Sequence, residues 1–188
     1  MIKQIPLSLL ALVMVLLFQN CKKGSDDVAA TATPVLQATI NSIVWTPDTL
    51  SANITYNAAT KTKVFNFSGT YNQRRLTCAV TLSSATSTND FTLNSYTIDA
   101  SGNPLITYSV QQKDSAGNYV FVPIVTAGNG DGLVTITAVD SASGLISGTF
   151  SFTTKKLNYD TDGNITTITN TVVSGGAFTK MPYTFISQ

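Results

Sequence analysis

Beyond residue 35, apolar and polar positions alternate with period two along most of the chain. That is the spacing at which successive side chains point to opposite faces of a strand. Phe65, Phe67 and Tyr71 fall on one side of a segment whose other side is Val64, Asn66, Ser68 and Thr70. Val134, Ile136 and Ala138 stand opposite Thr135 and Thr137, and Ile106, Tyr108 and Val110 opposite Thr107 and Ser109. Ile146, Phe150 and Phe152 stand opposite Ser147, Thr149, Ser151 and Thr153. Each pattern predicts a strand with one buried and one wet face. No stretch of ordinary length there has the apolar spacing of an amphipathic helix.

Turn-forming clusters punctuate these segments: Thr46-Pro47-Asp48, Asp99 to Pro104, Asp114 to Asn118, Gly128 to Gly132, Asp140 to Gly144, Asp160 to Asn164 and Ser174-Gly175-Gly176. The expected architecture is all-β, an antiparallel sandwich or flattened barrel of roughly ten strands joined mainly as hairpins. Alternation leaves sandwich and barrel open, because both bury every second residue.

The first twenty residues break the alternation. Lys3 precedes an apolar run from Ile5 to Phe18, and Cys21 follows directly before Lys22-Lys23-Gly24-Ser25-Asp26-Asp27. As a helix the run spans roughly 21 Å at about 1.5 Å per residue, short of the roughly 30 Å bilayer core. The layout is that of an export signal. Phe18-Gln19-Asn20 lacks the small residues of an ordinary cleavage site, whereas a cysteine suits lipoprotein processing, its thiol receiving diacylglycerol. Residues 1–20 are therefore read as a helical lipoprotein signal peptide, with an uncleaved membrane anchor as the rival. Residues 21–35 are the acylated N-terminus and a flexible tether, and 36–188 a single all-β domain. Several acyl chains on Cys21, palmitate among them, would hold the chain stably at a membrane. Lys22 after the cysteine points to the outer membrane. Ser25-Asp26-Asp27 resembles an acidic surface-export tag, which leaves periplasmic and surface orientations open.

Composition then narrows the chemistry. Eleven Lys and Arg face ten Asp, and losing Lys3 with the signal leaves the remainder formally neutral, so nucleic acid is not an expected partner. A quarter of the chain is Ser or Thr. It has no His and no Glu, which removes imidazole-based nucleophile systems and histidine zinc sites. Nearly every Asp sits beside Gly, Asn or Ser in an apparent turn, so no enzyme activity and no cofactor is expected. Cys78 shares a strand face with Leu76, Val80 and Leu82 and reads as a buried small hydrophobe.

Asn158, Asp160 and Asp162 begin like a calcium loop, with Gly163 at the turn. Thr169 stands where the closing bidentate carboxylate belongs, so a polar hairpin turn is the reading preferred. Trp45, Tyr56, Tyr71, Tyr96, Tyr108 and Tyr119 could form a sugar-stacking platform, but most fall on the buried parity and read as core. Asp48-Thr49-Leu50, Asp114-Ser115-Ala116 and Asp140-Ser141-Ala142 match a short O-glycosylation sequon.

Three stretches carry a family resemblance: Leu36 to Trp45, Leu133 to Asp140 with Gly144 to Phe152, and Val173 to Phe178. Together they resemble small Bacteroidota lipoproteins with an uncharacterised all-β domain, although Ser42 stands where glycine is common in the first turn. The resemblance implies location and fold and brings no catalytic residues. The expected role is binding or scaffolding in the cell envelope, with a glycan or a neighbouring envelope protein as partner. The alternatives are a carrier of a small apolar ligand inside a barrel, or a hydrolase built on Asp alone.

Overall fold

The computed structural model describes residues 33–188; the signal segment, Cys21 and most of the tether lie outside them. Twelve strands form among the described residues, two more than the approximate expectation. They are β1 (Leu36–Ile40), β2 (Ile43–Trp45), β3 (Thr49–Asn57), β4 (Thr62–Tyr71), β5 (Arg74–Leu82) and β6 (Ser95–Thr97). There follow β7 (Leu105–Lys113), β8 (Tyr119–Thr126), β9 (Gly132–Asp140), β10 (Leu145–Tyr159), β11 (Ile165–Pro182) and β12 (Thr184–Ser187). β2, β6 and β12 are only three or four residues long, too short to show as alternation.

Two six-stranded sheets result, in the orders β2-β1-β11-β10-β9-β6 and β12-β3-β4-β5-β7-β8. The fold is a β-sandwich. All pairings are antiparallel except β12 on β3. The β1–β2 and β4–β5 connections are two-residue turns, Asn41-Ser42 and Asn72-Gln73, with every φ between 45° and 68°. That is the twist a tight hairpin needs. Ser42 occupies a left-handed position where glycine carries no strain.

Alternation fills the core as expected. Phe65 and Phe67 on β4 face Phe150 and Phe178 of the other sheet, with ring centroids 5.2 to 5.8 Å apart. Phe91, from the loop between β5 and β6, closes on Phe65 at 5.7 Å. Such tilted pairs add about 0.5–1.5 kcal/mol each beyond their buried area. Gly148 on β10 makes the approach possible, since a Cβ there would lie 2.3 Å from the Phe178 ring and 2.2 Å from the Thr135 carbonyl oxygen.

Three positions depart from simple alternation. The β9–β10 register shifts between Ser147 and Gly148, pairing Ile146 with Val139 but Gly148 with Ile136. The extra residue turns Ala138 outward, and Val139 takes its place against the core. Tyr71, expected beside Phe67, lies at the end of β4 and is exposed. Ser109, expected to be wet, is buried; its cross-strand partner Arg75 lays its guanidinium 3.7 Å above the Phe121 ring and covers that part of the outer face.

Candidate functional site

The aspartates are the chain's only carboxylate side chains, and the hairpins decide what they do. Asp99, Asp114 and Asp160 each open a five-residue turn ending in Gly-Asn. In each, the aspartate Oδ1 accepts from the backbone N–H two residues on (2.9, 2.9 and 3.0 Å) and four residues on (3.0, 2.8 and 2.8 Å). The glycine carries φ of 79°, 85° or 83° and returns its N–H to the aspartate carbonyl. These bonds favour the ionised form. The Ser101 hydroxyl, then Asn103, holds Asp99 below the usual carboxylate range; the Asn118 and Asn164 backbone N–H groups do so for Asp114 and Asp160. Asp140 is lowered likewise, chiefly by Ser143.

This geometry places the calcium candidates in separate roles. Asp160 spends one carboxylate oxygen on its own turn, while Asn158 lies on β10 and donates from Nδ2 to Thr167 Oγ1 at 2.8 Å. Asp162 sits in the turn, its N–H donating to Asp160. Among the described residues no three Cys or Asp side chains gather as a metal ligand set.

The aromatic candidates also separate. Trp45, Tyr56 and Tyr108 are buried, Tyr96 is half-buried, and Tyr71 and Tyr119 are exposed. Among the described residues, Trp45 and Tyr71 line one depression of about 140 Å³ together with Ile43, Val44 and Arg74. Cys78 is buried on β5 beside Leu76 and Val80, and burial pushes its thiol pKa up, away from the reactive thiolate. Cys21 lies outside the described residues. Thr49, Ser115 and Ser141 of the sequons are at or near turns, Thr49 and Ser115 being exposed and Ser141 half-buried.

Two features were not legible as sites. Lys63 is on the core parity of β4 and only 3% exposed. Its ammonium donates to Thr88 Oγ1, the Asp90 carbonyl and Asp90 Oδ1 at 2.9–3.0 Å, so all three protons are used. The Thr88 hydroxyl, then Lys63, draws the Asp90 carboxyl below its ordinary range. This cluster pins the long loop after β5 and leaves no free donor for a ligand. The signal that could have found it is a lysine in phase with Phe65 and Phe67.

The second feature is a trough on the outer face of β3, β4, β5 and β7, about 270 Å³ in volume. Ser51, Asn53, Asn66, Ser68 and Thr77 line it, and exposed Leu105 forms an apolar rim. Asn66 Nδ2 donates to Asn53 Oδ1 at 3.2 Å, and the Ser51 and Ser68 hydroxyls meet at 2.9 Å. Among the described residues, Asn53 Nδ2 and Asn66 Oδ1 have no hydrogen-bond partner, which leaves the amide donors of one and the carbonyl acceptor of the other free. No charged side chain lines the trough.

No curated protein and no solved structure matches the chain. A family model does match, across residues 32–182, and so takes in the trough and every strand of both sheets except β12. The chain belongs to the family described as a domain of unknown function (DUF6252).

Proposed function

We propose that the chain is a lipid-anchored envelope protein of the Bacteroidota, held at the outer membrane through Cys21, whose β-domain binds or scaffolds without catalysing. The observation that carries the second half is the filled interior. Phe65, Phe67, Phe150 and Phe178 meet across the two sheets, so recognition is left to the outer faces. That favours a surface binder over a carrier with an apolar cavity. The turn aspartates spend their oxygens on loop amides, which favours binding over hydrolysis.

The trough suggests the ligand class. Neutral amides and hydroxyls beside an apolar rim suit an uncharged glycan, whose hydroxyls both donate and accept. Titration with neutral oligosaccharides, using the parent chain and its Asn53→Ala and Asn66→Ala variants, tests this. Each variant should weaken binding roughly tenfold, the equivalent of about 1.4 kcal/mol. Absence of binding, or binding unchanged by both substitutions, overturns the glycan reading. The anchor has its own test. Mass spectrometry of the native protein should find a chain starting at Cys21 with diacylglycerol and a further acyl group, and an intact Met1 without lipid overturns it.

A further inference from the structure

β10 and β11 outgrow the sandwich. β9 pairs with β10 as far as Phe152, and β1 with β11 as far as Val173. From Lys155 to Asn170 the two strands pair only with each other, and every residue there is exposed except the half-buried Asn158.

This arm is amphipathic. Leu157 pairs with Ile168 and Tyr159 with Ile165, which puts four large apolar side chains on one face, each 40–59% exposed. The other face carries Lys156 paired with Thr169 and Asn158 with Thr167. Phe150 and Phe152 point inward, so the odd-numbered Leu157 and Tyr159 point to the side continuous with the outer face of the sheet. The sandwich has no means of covering that side.

Charge is segregated along the same arm. Lys155 and Lys156 stand at its base, and Asp160 and Asp162 at its tip. The two groups are about 17 Å apart at roughly 3.4 Å per residue. A second arm laid antiparallel, with the twofold axis near Leu157, would set each base against the other tip. We infer that two copies of this chain associate through their arms, apolar face on apolar face and antiparallel, with Lys155 of each base, on the same face as Leu157, meeting the aspartates of the other tip.

The contact is isologous, so one surface supplies both halves. Half-exposed side chains of this size leave roughly 400 Å² per arm, or about 800 Å² for the pair, short of the roughly 1,000 Å² of a stable specific interface. The dimer is therefore weak in dilute solution and strengthens where copies are concentrated. A lipid surface is the other occupant the face could suggest, but insertion would drive Asp160 and Asp162 first into hydrocarbon, at high cost. The inference rests on the arm alone and holds whatever becomes of Cys21 or the trough.

Cysteine cross-linking of the full chain tests it. Leu157→Cys, beside the axis, should give a covalent dimer under mild oxidation. Thr167→Cys on the polar face and the parent chain, with Cys21 and Cys78 intact, set the background. Equal yields at 157 and 167, or no dimer, overturn the proposal. Protection of Leu157→Cys from a water-soluble maleimide only when phosphatidylglycerol vesicles are present also overturns it, in favour of a lipid contact. Charge reversal supplies the second arm of the test. Lys155→Asp and Asp162→Lys should each weaken association about tenfold or more, and mixing the two variants should restore it as a heterodimer. Failure of the mixture to recover overturns the antiparallel arrangement.

Discussion

Within one hairpin the same two strands follow opposite rules. From Ile146 to Phe152, and from Val173 to Met181, β10 and β11 turn their large apolar side chains towards the other sheet. From Lys155 to Asn170 they turn them the other way, to solvent. The change falls at Thr154 and Thr171, a cross-strand pair of small polar residues, both buried. Thr154 Oγ1 has no hydrogen-bond partner among the described residues. The lower half is explained by the sandwich that covers it. The upper half also gathers its large apolar side chains on one face, but without cover, so its pattern answers to something outside the domain.

The comparison breaks most sharply at the core. Phe178→Ala removes a ring that touches both Phe65 and Phe67 and should cost about 3–5 kcal/mol. Tyr159→Ala, an aromatic truncation on the same hairpin, should stay within about 0.5 kcal/mol. Urea denaturation of both variants gives the two midpoints directly. A large loss at Tyr159 would mean the arm is part of the fold and not an appendage.

Glycines give a second contrast, of smaller size. A Cβ at Gly148 meets a backbone oxygen and an aromatic ring that cannot both move away, so Gly148→Ala should cost about 1–3 kcal/mol. Gly163, in the arm's turn, has nothing within 4 Å of an added Cβ but sits at φ 83°. Gly163→Ala therefore strains the turn alone, by about 1 kcal/mol. It should raise hydrogen exchange at the arm without moving the global midpoint.

Alternation made most of the body readable, because wherever one sheet face is covered the pattern and the packing coincide. Phe65 and Phe67, Ile106 and Tyr108, and Phe150 and Phe152 all point where their parity says. Ala138 does not, since an inserted residue leaves no mark in a sequence that alternates on both sides of it. Lys63 shares the parity of Phe65 and Phe67, but only the loop carrying Thr88 and Asp90, folded back over it, gives its ammonium the partners that burial requires. Asn53 and Asn66 are ordinary wet-face residues in sequence, and only strand pairing sets them side by side. Leu157 and Tyr159 alternate as a core strand does, whereas Ile165 and Ile168, three residues apart, share their face only through a register shift. Parity says which residues share a face and is silent on whether the fold covers that face.

Acid should act on both regions in the same direction. Asp90 in the body and Asp160 in the arm both have folded-state pKa values below the ordinary carboxylate value. Their contributions are therefore fully present above the unfolded value, near pH 4, and fade as pH falls through the folded values. Lys63→Met removes one of the partners that hold Asp90 down and should flatten the loss of stability as pH falls below the ordinary carboxylate value. Asp160→Asn should leave that global profile unchanged and alter only local exchange at residues 160–164. Denaturation midpoints as pH falls, with exchange measured in parallel, separate the two.

The smallest change in stability should come with the largest change in association. Leu157→Thr combined with Ile168→Thr replaces a cross-strand apolar pair by residues that favour strands, at positions 40% and 57% exposed. The unfolding midpoint should move by no more than about 0.5 kcal/mol. In the parent chain, amides of residues 155–170 should exchange more slowly as protein concentration rises, because a second arm covers them. In the double variant that concentration dependence should vanish while exchange in the body stays the same. A double variant that keeps the dependence would show that copies meet through some other surface. One that loses global stability would show the outward face of the arm to be covered within its own chain, and the inverted polarity of β10 and β11 would then belong to the fold.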